Sequence, residues 1–184
     1  MTTHFSNLFH GEYVRLSAVR QEDAEVMARW GEDAEYLRNV DTDIALPRTK
    51  ERMAAEGSSN SNSAYFRLRT IQGDELVGFV ALHSIEWNNR AGLLAIGIGE
   101  AKNRNKGYGT DALRLILRFA FEELNLDRVG LDVIDYNKSA IRAYEKAGFQ
   151  HEGRMRAAVY RDGKHYDRVI MGILRSEWAA KSYK

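Results

Sequence analysis

Residues 103–125 read NRNKGYGTDALRLILRFAFEELN. Lys102, Arg104 and Lys106 alternate into Gly107-Tyr108-Gly109, and a helical apolar pattern follows at once: Leu113, Ile116, Leu117, Ala120, Phe121 and Leu124. Asp111, Arg114, Arg118 and Glu122 make only a narrow polar stripe, which predicts a helix buried on more than one side. Glycine lets backbone approach a ligand closely. The first turn of a helix carries unpaired N–H groups and a partial positive charge. Bare backbone and cations at a helix mouth therefore point to a phosphorylated ligand, and the number of charges to a diphosphate. The bland alternative is a glycine turn beside a solvated basic surface.

Outward from that helix, the chain reads as a mixed α/β pattern. Upstream, residues 12–19, 64–71, 76–85 and 93–99 alternate as strands. Turns are expected at Gln72-Gly73-Asp74 and at Asn88-Asn89-Arg90. Residues 21–30 and 49–56 read as helices, and residues 57–63 as a Ser/Asn loop. Downstream, residues 129–134 read as a strand, and Asn137 is placed to cap a helix over 138–147. Gly148 then ends that helix in a left-handed conformation, with Phe149 folding back on it. Asp162-Gly163 is a tight-turn pair between strands over 157–160 and 169–174.

Composition narrows the classes. At 184 residues one domain spanning 1–184 is expected. The net charge of +1 carries no general field for nucleic acid or an anionic membrane. The chain has no cysteine, which removes disulfides, thiolate metal sites and a cysteine nucleophile. The stretch MTTHFSNLFHGEYVRL lacks the basic-then-apolar order of a signal peptide, and no apolar run approaches a membrane span. The expected location is the cytoplasm. The histidines at 4, 10, 83, 151 and 165 show no metal spacing, so no metal is expected; His83 sits among apolar strand residues as a packed histidine.

Gly107, Gly109 and Ala112 satisfy the dinucleotide spacing glycine-x-glycine-x-x-glycine/alanine, and Asp132 lies about 20 residues on. Context opposes that reading. The fingerprint turns directly out of a first strand, whereas here a basic hexapeptide intervenes and too few strand–helix units follow. The mononucleotide signature glycine-x4-glycine-lysine-serine/threonine is absent.

Three blocks, RNKGYGTDALRLIL, NKSAIRAYEKAGF and GRMRAAVYRDGKHYD, together resemble the GCN5-related N-acetyltransferase (GNAT) superfamily. More narrowly, they resemble its bacterial branch of ribosomal-protein N-terminal and spermidine acetyltransferases. The family's glutamine/arginine-x-x-glycine-x-glycine/alanine signature falls on Arg104, Gly107 and Gly109. Its second block falls on Asn137, Ala140, Tyr144, Gly148 and Phe149. The resemblance implies a mostly antiparallel mixed sheet of about seven strands, flanked by about four helices and splayed at its centre. It implies that acetyl-CoA lies in the splay as co-substrate. Its pyrophosphate would meet the N–H groups of Arg104, Asn105, Lys106, Gly107, Tyr108, Gly109 and Thr110. Its pantetheine arm would run beside Ile96, Ile98 and Gly99, with Asn137 and Ala140 against the arm and Tyr144 facing the sulfur. A homodimer belongs to the same expectation.

The implied reaction is direct attack of a primary amine on the thioester, in a ternary complex. It needs a neutral amine, a stabiliser for the developing oxyanion and a proton for sulfur. The N–H groups of Ile98 and Gly99 are candidates for the second need, and Tyr144 for the third. A free phenol (pKa about 10) giving its proton to a thiolate (about 8.5) runs uphill by roughly 2 kcal/mol. Tyr144 therefore suits hydrogen bonding, unless its pKa is depressed; its other reading is core packing with Ala140, Ile141 and Ala147. Relatives carry a strand glutamate where this chain has Gly92, Leu93 and Leu94, leaving Glu86, Glu100, Asp135 or a water as base. The acceptor is an amine: a polyamine, a protein or peptide N-terminus, or an amino sugar. Asp33, Glu35, Asp41 and Asp43 are placed to attract a cationic one. The rival reading from another class is a non-catalytic CoA-binding regulatory module of the same fold.

Overall fold

A computed structural model describes residues 7–55 and 59–182. The leader reading over 1–16 and the Ser/Asn loop over 57–63 fall partly outside those residues. Seven strands form one sheet: Val14–Ser17 (β1), Ala64–Thr70 (β2), Leu76–Glu86 (β3), Ala91–Ile98 (β4), Arg128–Ile134 (β5), Gln150–Arg161 (β6) and Lys164–Leu174 (β7). Their order is β1-β2-β3-β4-β5-β7-β6. Every pairing is antiparallel except β4 with β5. That parallel pair touches only at Ala91–Leu93 against Arg128–Gly130, and beyond Leu93 the two strands diverge. With a single parallel pair, the sheet is not a dinucleotide fold, and Asp132 is spent on Arg168 at 2.7 Å.

The helices are Asp23–Trp30 (α1), Ala34–Val40 (α2), Lys50–Ala55 (α3), Tyr108–Arg118 (α4), Lys138–Ala147 (α5) and Arg175–Ser182 (α6). The expected count of about four omits α2 and α6. Each is short, and each is fixed by something distant in sequence or specific to its end. Asp33 caps α2 by accepting from the Glu35 N–H at 2.9 Å, and Trp178 of α6 lies 5.4 Å from the Phe121 ring. The strand pair β6–β7 is also longer than its apolar pattern, because hydrogen bonding along β7 carries β6 back to Gln150. At its tip both Asp162 (φ 49°) and Gly163 (φ 74°) are left-handed, as a two-residue hairpin requires.

Two apolar layers sandwich the sheet. Leu113, Ile116 and Leu117 of α4, with Ala120 just beyond it, pack with Val80, Leu82, Val129 and Met171 on one face. Met27, Trp30, Leu37 and Met53 of α1–α3 cover Phe79 on the other. After Arg118 the α4 backbone widens into a π turn over Phe119–Glu123. Phe119 then packs edge-on to Phe66 (5.0 Å) while Phe121 meets Trp178, so the segment is buried on two sides.

Asp111 fastens β1 to α4. Its buried carboxylate accepts from the N–H groups of Tyr13 (2.8 Å) and Val14 (3.0 Å), and a side chain on Gly11 would overlap it. Leaving two such amides unpaired costs about 1–3 kcal/mol each. Asp111→Ala is therefore expected to lower stability by about 3 kcal/mol in urea unfolding. A loss under about 1 kcal/mol would show that water replaces the carboxylate.

Candidate functional site

The divergence of β4 from β5 leaves strand backbone without a partner. The Gly99 N–H donates to the Val77 carbonyl (3.0 Å), which makes Val77–Gly99 a hydrogen-bonded pair of the antiparallel ladder. Such pairs alternate with open ones. The N–H and C=O groups of Ile98 and Ile96 consequently turn away from β3, towards the gap. Gly99 is different: its N–H is used, and its bare Cα is required by the Trp30 indole, which an added Cβ would overlap. The expectation that Gly99 shares the oxyanion role thus gives way to Ile98 alone.

At the top of the gap α4 begins. Gly107 is left-handed (φ 86°), as is Asn105 (φ 59°), and no side chain caps the helix. The first intrahelical bond there is from the Asp111 N–H to the Gly107 carbonyl, at 3.0 Å. The N–H groups of Tyr108, Gly109 and Thr110 are the ones a helix leaves without internal partners. A Cβ on Gly109 would meet nothing within 4 Å. An uncapped helix mouth with vacant space over Gly109 fits a phosphate group.

These parts enclose one cleft of about 370 Å³. Ile96, Ile98, Arg104, Asn105, Gly107, Gly109 and Thr110 line one side, and Asn137, Ala140 and Tyr144 the other. Lys106 and Tyr108 are outside its wall. Sequence reasoning missed Tyr36, Asn39 and Val40, which lie three and four residues apart on one face of α2 and also line it.

The charges differ from the expectation. Arg104 does not point at the helix mouth: its guanidinium donates to the Gly99 carbonyl (3.1 Å) and to Glu35 (3.1 Å), and reaches Asp33 at 3.4 Å. Asp33 and Glu35 share that one guanidinium, so one negative charge of the pair is left over at this rim. Asp41 accepts from the backbone N–H groups of Thr42 (2.6 Å) and Asp43 (3.2 Å). Arg161 of the hairpin tip donates to the Asp43 carbonyl (2.7 Å), closing that side.

α2 lies across the cleft and is tied to its far wall. The Tyr136 hydroxyl donates to the Arg38 carbonyl (2.5 Å), and the Asn137 amide to the Asn39 carbonyl (3.4 Å). The Asn137 carbonyl oxygen meanwhile caps α5 at the Ala140 N–H (3.2 Å). At the other end of α5, Gly148 is left-handed (φ 112°) and the Phe149 N–H donates to the Tyr144 carbonyl (3.0 Å). That terminator seats the Phe149 ring 5.8 Å from Tyr144.

Tyr144 is 8% exposed, and burial pushes its phenol pKa far up, with Asp132 adding to the effect. It stays a neutral O–H donor. The candidates for base are elsewhere: Glu86 accepts from Asn89, Glu100 pairs with Lys102 (2.9 Å) and Asp135 with Arg154 (3.3 Å). Glu35 is the one carboxylate in the cleft wall among the described residues. His83 is half-buried with Nδ1 3.1 Å from the Ser84 hydroxyl, and burial lowers its pKa. No group of three or more metal-ligating side chains occurs among the described residues. No helix among them is long and apolar enough to cross a membrane.

Comparison with known proteins supports the same frame. The family model for the acetyltransferase (GNAT) domain matches residues 14–150. A prophage-derived uncharacterized N-acetyltransferase of Bacillus subtilis is 29% identical over 169 residues, 91% of this chain and 93% of that protein. The spermidine N(1)-acetyltransferase of Vibrio cholerae is 30% identical over 107 residues, covering 58% of this chain and 61% of the relative. A crystal structure of spermidine N-acetyltransferase from Vibrio cholerae, in complex with CoA and spermine, superposes with a TM-score of 0.81 at 21% identity. It covers 90% of this chain and 98% of that one. A splayed seven-stranded sheet, an uncapped glycine turn at the mouth of α4 and a family match over most of its length make this chain a member of the GNAT acetyltransferases, an acetyl-CoA-dependent acyltransferase.

Proposed function

We propose that the protein, acting as one domain, transfers an acetyl group from acetyl-CoA to a primary amine by direct attack in a ternary complex. The observation that carries this reading is a convergence. The open amides of α4, the unpaired edge at Ile96 and Ile98, and the Tyr144 phenol line one cleft. Acetyl-CoA supplies an activated acyl group there.

The protein's own groups then divide the work. The N–H groups of Tyr108, Gly109 and Thr110 hold the phosphates. Ile96 and Ile98 offer strand backbone to an amide-bearing arm, and the Ile98 N–H stabilises developing negative charge on oxygen. The Tyr144 O–H donates to the sulfur as it becomes a thiolate. With Glu35 tied to Arg104, the acceptor reacts as the neutral amine or yields its proton to water. A relative named for spermidine supports an amine acceptor. The assay is thiol release from acetyl-CoA across polyamines, amino acids, peptide N-termini and amino sugars. Release that depends on one of these amines is expected; hydrolysis at a rate indifferent to every amine would contradict the reading.

A further inference from the structure

A second cavity, of about 130 Å³, lies between α1–α3 and the sheet. It shares Tyr36 and Val40 with the cleft, while Ala95 belongs to its wall and the next residue, Ile96, to the cleft's. Gly97, on the same face of β4 as Ala95, also lines the cleft, so the two spaces adjoin along that face.

The wall of this cavity includes Arg67, whose side chain is 1% exposed. Its Nε and Nη1 groups have no hydrogen-bond partner. The carboxylate facing it, Asp23, is 3.9 Å from Nε and is already bonded to the buried Arg69 and to the Arg20 N–H (2.8 Å). Two buried guanidinium groups thus share one buried carboxylate, and one positive charge is left over. The Tyr65 ring, 5.8 Å from the Arg67 Cζ, offsets only part of the cost. Arg48 and the exposed Asp41 also line the cavity, and the Asp41 carboxylate accepts from the Thr42 and Asp43 amides. Buried charge that lacks full compensation is expensive. An anion entering here would receive unused donors and cancel the excess.

We propose that this cavity is an acceptor subsite that takes a carboxylate, so that the acceptor is an amine bearing an acid group, an amino acid or a similar zwitterion, rather than a polycation. The proposal rests on the transferase reading above and narrows it. Tyr36 and Val40 form the shared wall past which the amine end reaches the cleft. The remaining wall is apolar, with Met27, Met53 and Phe79, and suits a small uncharged remainder.

The probes are N-acetylglycine, N-acetylalanine and N-acetylmethionine, each compared with its carboxamide, titrated by calorimetry into the CoA-saturated protein. At least one acid is expected to bind about tenfold or more tightly than its amide, the range for a hydrogen bond to a charged group. Arg67→Met should abolish the difference by weakening only the acid. Should that variant not fold, Ala95→Leu fills the cavity, keeps the cation and is expected to do the same. Equal affinity of acid and amide in the wild type, a preference that survives either substitution, or spermidine binding more tightly than every acid would overturn the proposal. Thiol release is scored separately. Turnover without acid preference sinks the carboxylate subsite and leaves the transferase; acid-selective binding without turnover does the reverse.

Discussion

Gly109→Val is expected to fold with a melting temperature close to that of the wild type and to lose the rise in melting temperature that CoA gives the wild type. The substitution isolates ligand approach from folding. A Cβ at position 109 meets nothing within 4 Å, and the residue is not left-handed, unlike Gly107. Valine is a slightly better helix former than glycine. What changes is the space over the N–H groups of Tyr108, Gly109 and Thr110. Branched carbons there hold a phosphate beyond hydrogen-bonding distance. A charge-assisted hydrogen bond contributes about 1.5–3 kcal/mol, so losing two implies at least a hundredfold weaker CoA binding. A valine variant that folds and binds CoA normally would move the phosphate site away from α4.

Tyr144→Phe is expected to keep its fold and its affinity for acetyl-CoA while its maximal rate falls at least about tenfold, the low side of what one positioned proton donor contributes. The ring remains to pack on Phe149, so stability has little reason to change. The lost hydroxyl acts only as charge grows on sulfur, which lowers turnover and not binding. Burial has a signed consequence for pH. A phenol held above its ordinary pKa stays protonated throughout the neutral range. The wild-type rate should therefore show no fall from phenol ionisation below about pH 10. Full proton transfer from so weak an acid is less favourable than from free tyrosine, which favours hydrogen-bond donation. A phenylalanine variant within about twofold of wild type at saturating acceptor and at every pH would assign Tyr144 to packing.

How far sequence foretold this architecture depends on the range of each signal. Local signals carried well. The Asn137 cap, the Gly148 terminator, the Asp162-Gly163 turn and the α4 apolar pattern all act within a few residues, and the structure has each of them. The splay was implied only by the resemblance to the acetyltransferase family that the joined motifs carry. Long-range pairings were not legible. In β2, Arg67 and Arg69 alternate with Phe66 and Leu68, and α1 buries both arginines by laying Asp23 on top, which nothing local in the sequence signals. Arg104 read as a phosphate cation because nothing local reveals Asp33 and Glu35 some 70 residues earlier in its path. Those same acids read as a cation attractor, and Arg104 takes up one of their two charges. Gly99 read as a ligand backbone, but its missing side chain serves Trp30.

The central claim is direct transfer from acetyl-CoA to an amine within the cleft between β4 and β5. The measurement that tests it most directly uses acetyl-CoA carrying ¹³C in the acetyl group, with mass spectrometry of both acceptor and protein during turnover. Direct attack predicts labelled N-acetyl product equal to the thiol released, and protein of unchanged mass at every time point. Labelled acetyl accumulating on the protein before product appears, or thiol released with no labelled amine, would contradict it.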